Sequence, residues 1–408
     1  MRQRSVTHTE TMTEPLEEIS RESDIRYAYG LYEIIYQIMG LWPATCQTVG
    51  AWFLTIFVCI AQITMIFFVI GEAVISTSQL DLQLLSYVSC NFLSFVKIIV
   101  IRANWCNMHS VIDDLTSAWK TISEPQVLKI MKARAKLGRK ICIYQMSTTY
   151  FVCLPSIIMT LPPFLPAVND TMNSTVSVVR SYPLQTSQMF AGLSTGPYVI
   201  MFVYQIIQIY LTSTANMGND VCFFGIAINL TAQFECLSVT CEGIDERRNA
   251  SRESGFSAVI RRQIELIDLA KKLEGTFNVI ILCIISTNCI QICLYGILLI
   301  RSARIGDFVV VINAAICVIV LGFQIFLYCY AGDSLSRAIE NVGTTAYNCL
   351  WYEMSPKSKT VVLFILLRTS RIFSLTAGKM YRMDLDSFKN IVKAIGSYFS
   401  VMQAMFEE

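Results

Sequence analysis

Residues 308–330 read FVVVINAAICVIVLGFQIFLYCY, a run without one charged side chain. About 20 predominantly apolar residues in a helix cross the hydrocarbon of a bilayer, so Phe308–Tyr330 predicts a membrane span. The apolar pattern does not stop there. Ala331–Trp351 keeps Leu335, Ile339, Val342, Ala346 and Leu350 at helical spacing. A helix with such a face needs a partner to cover it, so the span is expected to run on into a packed bundle outside the membrane.

Working outward from this stretch, five further spans are predicted at Val49–Gly71, Gln79–Ile101, Ile141–Leu161, Pro197–Met217 and Phe277–Ile300. A seventh, Leu385–Met405, is weaker because Lys389 and Lys393 interrupt it. The run Val361–Leu367 is too short to cross. After the fourth span, Gly218–Leu237 stays mostly apolar and offers a second helix to the same bundle; a pair of ordinary loops is the alternative. Composition agrees: 408 residues are 54% hydrophobic and 15% charged, with mean hydropathy +0.51, where a soluble domain carries about 25% charged residues. Before the first span, Tyr29–Trp42 alternates aromatic and apolar residues up to Gly40 and Trp42-Pro43. That suits an interfacial or re-entrant helix ended by proline, or a peripheral amphipathic one. The first 48 residues have no early apolar core, so the first span is expected to act as the insertion signal.

Basic residues mark cytoplasmic loops. The loop after span two carries Arg102, Lys120, Lys129, Lys132, Arg134, Lys136, Arg139 and Lys140, and those after spans four and six are similarly rich. The loop after span three has only Arg180, and the one after span five only Arg301 and Arg304. The pattern predicts an inverted topology, with the N-terminus cytoplasmic and the C-terminus extracellular. The sequons Asn169 (N-D-T) and Asn173 (N-S-T) fall on the predicted outer side, as glycosylation requires.

Several functions are disfavoured. His8 and His109 are the only histidines, and the 15 cysteines lie largely inside apolar runs without metal spacing, where they serve as small apolar residues. No metal site, catalytic constellation or cofactor motif is expected, and a net charge of +2 leaves no nucleic-acid footprint. The two halves do not echo each other, which lowers the case for a transporter. A G-protein-coupled-like chemoreceptor without its own pore is the alternative. Against it stand the inverted topology, a loop Pro162–Gly196 without cysteine, and span ends that lack an acidic-Arg-aromatic triplet or an Asn-Pro kink.

The last stretch, 373–405, decides between these classes. Leu375-Thr376-Ala377-Gly378-Lys379 is followed by Met383, Leu385, Asp386, Phe388, Lys393, Ser397, Tyr398 and Phe399. This resembles the last-helix signature of insect odorant receptors. Gly40-Leu41-Trp42-Pro43 and the stretch Cys329–Leu335 fit the same family. The short loop Glu242–Lys272 lacks the large insertion of the co-receptor, and Gln403 departs from the gustatory ending, so the resemblance is to a ligand-tuning subunit.

What the resemblance implies is a non-enzymatic receptor in the plasma membrane of olfactory sensory neurons, in contact with membrane lipid. It binds a small volatile organic ligand and gates a non-selective cation channel as a heterotetramer with the co-receptor. The chain then divides into a cytoplasmic N-terminus (1–48), spans one to six with the ligand pocket (49–330), a cytoplasmic anchor region (331–382) and the pore-lining seventh helix with a short tail (383–408). The pocket is expected among spans two, three, four and six in the outer half of the membrane, mostly apolar with few polar anchors. Candidates are Tyr87 and Asn91; Thr149, Tyr150 and Cys153; Tyr198, Met201, Phe202 and Gln205; and Val311 and Ala315. Each is also a plausible packing residue. Asn91 and Gln205 are the more informative, because amides are costly in lipid. Lys97 is expected to snorkel to the inner surface.

On span seven, Lys393, Ser397, Val401 and Ala404 recur at steps of four, four and three and share a face. A face that runs from charged to apolar suits a wet vestibule leading to a dewetting gate, with Val401 and Met405 as gate candidates. Plain helix packing is the other reading, and the two lysines either line a wide vestibule or point at a neighbour. Gly378 is expected to close a helix in the left-handed region, and Asp384 to cap the following helix at Ser387.

Overall fold

The computed structural model describes residues 7–75, 82–122, 124–158, 160–161, 181–184, 186–245, 249–349, 351–353, 355–370 and 373–407. For 7–19, 82–84, 244–245, 249–254, 357–358 and 402–407 it describes the backbone alone. Among the described residues ten α-helices follow in order: α1 (Thr7–Ile38), α2 (Val49–Ile75), α3 (Leu82–Ala103), α4 (Trp105–Thr121), α5 (Pro125–Ile158), α6 (Thr195–Asp245), α7 (Asn249–Ile305), α8 (Phe308–Asn348), α9 (Pro356–Thr369) and α10 (Leu385–Glu407). Two-residue strands β1 (Thr376–Ala377) and β2 (Tyr381–Arg382) form a small antiparallel hairpin between α9 and α10. The chain is thus an all-α multi-pass membrane protein apart from that hairpin.

Among the described residues, six helices are long and apolar enough to cross a membrane: α2, α3, α5, α6, α7 and α8. Four of the six stronger spans read from the sequence fall wholly inside them; Gln79–Ile101 begins outside the described residues, and α5 stops at Ile158, short of the expected Leu161. α10, at 23 residues, has the length but falls short in hydropathy, as its two lysines lead one to expect. Several helices far exceed a bilayer. α6 has 51 residues, α7 has 57 and α8 has 41, so each runs on into the packed region outside the span. Leu335, Ile339, Val342 and Ala346 of α8 are all buried there; Leu350 lies outside the described residues.

α6 is the central post. In its most apolar window 94% of residues are buried, against 22% for α5 and 28% for α8, which turn much of their surface outward. α6 packs chiefly on α5, α8 and α7. At the opposite end from segments 181–184 and 186–194, α1 and α4 join the long helices. Tyr29, Tyr32 and Tyr36 of α1 are buried in the main core, and burial pushes their phenols well up. α1 is a single 32-residue helix that stops at Ile38, ahead of Gly40 and before Trp42-Pro43. Its aromatic face is covered by α4, α5 and α6. Half-buried ion pairs lace this region, including Arg262–Asp114 at 2.9 Å and Arg134 with Glu235.

The segment from Leu375 to Met383 docks on the long helices and aims α10. Leu375, Ala377 and Met383 are buried. Gly378 N donates to Asn278 O of α7 at 2.8 Å, and Met383 N to Leu375 O at 2.9 Å. Gly378 has φ +58°, in the left-handed region, but it sits in the hairpin turn and not at a helix end. α9 has already stopped at Thr369, so the expected helix cap becomes a strand reversal. Asp384 does cap α10, its Oδ1 accepting from Ser387 N at 2.7 Å.

Candidate functional site

A cavity of about 150 Å³ lies among α2, α3, α5, α6, α7 and α8. The helices supply it in helical steps: Ser86, Tyr87 and Cys90 from α3, Val152, Cys153 and Thr149 from α5, and Ile209, Thr212, Ser213, Asn216 and Met217 from α6. α7 adds Gln291 and Tyr295, one turn apart, and α8 adds Cys317, Val320 and Leu321. The walls are chiefly apolar with a few polar groups, the usual make-up of a small-molecule site. Ser86 Oγ donates to the Tyr295 oxygen at 2.8 Å. The phenol therefore keeps its own proton for a second acceptor. Gln291 Nε2 donates to Ser89 Oγ at 2.8 Å, holding α7 against α3.

Of the residues singled out from sequence, the structure brings Tyr87, Thr149 and Cys153 to the cavity. Tyr150, one position on, turns into the α5–α6 seam and shares a 2.9 Å hydrogen bond with Thr214. Asn91 is 1% exposed and does not line the cavity; neither of its amide atoms has a hydrogen-bond partner. Tyr198, Met201, Phe202 and Gln205 gather roughly one to three turns before Ile209, the first α6 residue of the lining. Tyr198 and Phe202 pack with Tyr182, whose ring centroid is 5.1 Å from that of Tyr198. Gln205 accepts from Leu184 N at 3.3 Å and donates to Thr186 at 2.8 Å. Together with Glu72, which accepts from Gln188 N and Met189 N at 3.0 and 2.7 Å, these residues tie α2 and α6 to the segment that precedes α6. Val311 and Ala315 are half-buried on α8 and stand outside the lining, which α8 supplies one turn later.

Sequence reasoning missed α7. The signal was present, since Asn288 and Gln291 are amides inside an apolar run, as Asn91 and Gln205 are. It also missed the floor of the cavity. Lys97 does not snorkel: it is 0% exposed. Its Nζ lies 2.7 and 2.8 Å from the two Asp220 carboxylate oxygens and 2.5 Å from Asn216 Oδ1. Asp220 also accepts from Tyr328 at 2.6 Å and from Gln324, and Gln324 accepts from Asn288 at 2.8 Å. Asn216, which lines the cavity, thus joins it to a charged cluster shared by α3, α6, α7 and α8. An acid and a base inside separate apolar runs were the available clue, because buried membrane charges are paired.

α10 turns one side to the protein and one away. Phe388 meets Phe326 edge-on at 5.5 Å, and the Phe399 ring lies over Gly296. Lys393, Ser397 and Val401 share an exposed face. Ala404 and Met405 continue this helix in residues described by backbone alone. Lys389 pairs with Asp386 at 2.9 Å. Asn169 and Asn173 lie outside the described residues. Among the described residues no group of three or more His, Cys, Asp or Glu comes together as a metal site.

Comparison with known proteins fits this geometry. A family model described as 7tm Odorant receptor matches residues 77–396. Odorant receptor 13a of Drosophila melanogaster is 21% identical, over 91% of this chain and 94% of its own. The odorant receptor coreceptor of Ooceraea biroi aligns at 24% identity over only 39% of this chain and 33% of its own. The solved insect olfactory receptor OR5 from Machilis hrabei superposes with TM-score 0.72 at 15% identity, covering 92% of this chain and 99% of that one. Its complex with eugenol superposes with TM-score 0.71.

Proposed function

The chain belongs to the insect odorant receptor family, as a ligand-tuning receptor and not a co-receptor, and on that premise we propose that it is the odour-binding subunit of a cation channel. The observation that carries the reading is the largely apolar cavity whose floor residue, Asn216, is bonded into the charged cluster beneath it. A volatile small enough for about 150 Å³ makes contacts on α3, α5, α6, α7 and α8 at once. Eugenol, bound by OR5, points to small aromatic or aliphatic volatiles with one or two oxygens.

In this reading α10 is the seventh span, with the N-terminus cytoplasmic and the C-terminus outside. That direction rests on the loop charges. The exposed face of Lys393, Ser397 and Val401, continued by Ala404 and Met405, then lines a central pore in a tetramer with the co-receptor, in the plasma membrane of olfactory neurons. Asn169 and Asn173 carry glycans on the outer side. The test is co-expression with the co-receptor and a panel of volatiles. Odorant-evoked cation current in excised patches, without nucleotides, is expected. Current that vanishes on excision and returns only with G-protein signalling would overturn the proposal.

Tyr295 supplies a sharper prediction. Its phenol has a donor left for a ligand oxygen, so Tyr295→Phe should weaken responses to alcohols, esters and phenols. A neutral hydrogen bond contributes about 1 kcal/mol, or roughly fivefold in potency. Purely hydrocarbon ligands should be unaffected. Dose–response curves for matched pairs of ligands check both halves.

A further inference from the structure

A second cavity, of about 210 Å³, opens on the outer flank of the helix bundle in the seam between α5 and α8. Tyr144, Gln145 and Thr148 line it from α5, and Ile319, Val320 and Phe323 from α8. The seam is loosely closed, since α5 packs far more extensively on α6 than on α8. Both helices are membrane spans by length and composition, and Tyr144 and Ile319 are 56% and 65% exposed. The opening therefore faces lipid.

The groove has a direction. Gln145 stands five residues, about 7.5 Å of helix rise, beyond Lys140, the last basic residue before the span. At this end Tyr144 and Phe323 meet edge-on at 5.6 Å. Gln145 is 2% exposed and donates its amide N–H to Met217 Sδ at 3.4 Å. Its carbonyl oxygen is buried without a hydrogen-bond partner. An unmet buried acceptor costs about 1–3 kcal/mol and marks where a donor fits. Toward the middle of the bilayer the lining becomes Thr148 and Ile319. One hydroxyl donor near the interface, with a rigid apolar body reaching toward the bilayer centre, matches that polarity.

We propose that the α5–α8 groove binds a membrane sterol, its hydroxyl donated to Gln145 Oε1 and its rings laid along Thr148 and Ile319. The site also touches the inner cavity. Val320 lines both spaces, and Met217, the partner of the Gln145 amide, lines the inner one. A sterol that fixes Gln145 and Val320 also fixes part of the cavity wall, so it modulates odorant response without entering the cavity. This modulation rests on the cavity being the odorant site; sterol binding itself does not.

Two readouts keep those apart. In the receptor–co-receptor complex, a photoactivatable sterol bearing a diazirine should label the stretches 144–148 and 316–323. Excess cholesterol should compete the label away, and Ile319→Trp, which fills the groove from an exposed position, should abolish it. Labelling elsewhere, or labelling displaced by odorant and not by cholesterol, would overturn the site. In patches, sterol depletion should shift the odorant half-maximal concentration by about fivefold, the low end of ordinary coupling between sites. Cholesterol should restore it and a sterol hydrocarbon lacking the hydroxyl should not. Gln145→Leu should respond to odorant yet ignore depletion. A Gln145→Leu receptor that retains the full shift would sink the modulatory role. Correct labelling with no odorant current from the wild type would instead count against the channel reading alone.

Discussion

Lys97→Met is expected to remove most of the receptor from the cell surface. The substitution keeps the side chain's length and loses its charge. It leaves Asp220 buried beside Tyr328 and Gln324 with no cation. Breaking a buried pair by deleting one partner costs about 3–5 kcal/mol, a large share of the 5–15 kcal/mol that holds a typical domain together. Surface biotinylation and thermal aggregation of the detergent-solubilised complex measure the loss. The second arm is the double variant Lys97→Met with Asp220→Asn. It removes both charges, and the new amide can still accept from Tyr328. Much of the surface population should return. If the double variant is as depleted as the sum of the two singles, the residues contribute separately and the pair is not the unit of stability.

Gly332→Val should abolish odorant-evoked current while leaving much of the protein at the surface. A Cβ at position 332 would overlap the carbonyl oxygen of Met383, a backbone atom that cannot rotate away. The contact lies where the hairpin segment hands over to α10. Relieving the overlap pushes Met383 off α8 and, with it, the start of the helix proposed to line the pore. Overpacking of this kind costs about 1–3 kcal/mol, more than enough to mis-set one helix and too little to unfold a core of this size. Current normalised to surface receptor should fall at least about tenfold, the factor that 1.4 kcal/mol represents. Gly322→Ala is the control, because nothing lies within 4 Å of a Cβ there. Equal losses for both variants would mean that glycine on α8 matters only for helix assembly.

The layout of this molecule was readable because it rests on length and hydropathy. An uncharged run such as 308–330 has few alternatives in water, and the spacing of Leu335, Ile339, Val342 and Ala346 already required a buried continuation. The site was readable only in part. Periodicity assigns a residue to a helix and leaves its direction open by a fraction of a turn. Tyr150 and Asn91 miss the cavity for that reason while their neighbours Thr149 and Cys90 line it. Tyr198, Met201, Phe202 and Gln205 lie on α6 outside the part that lines the cavity. Lys97 was misread because snorkelling and burial demand the same stem. Only Asp220, 123 positions away, distinguishes the two, and nothing local reports that distance. The left-handed turn at Gly378 was legible as a turn; its being a hairpin depended on the pairing of Thr376 with Arg382.

The great length of α7 has a mechanical consequence. At 57 residues and 1.5 Å per residue it is a rod of about 85 Å. A rod that rocks by one degree about one end carries its other end through about 1.5 Å, roughly a quarter of a helical pitch. Gearing of this kind lets a displacement too small to notice beside a small molecule arrive, far from it, at a size that tightly fitted subunits cannot ignore.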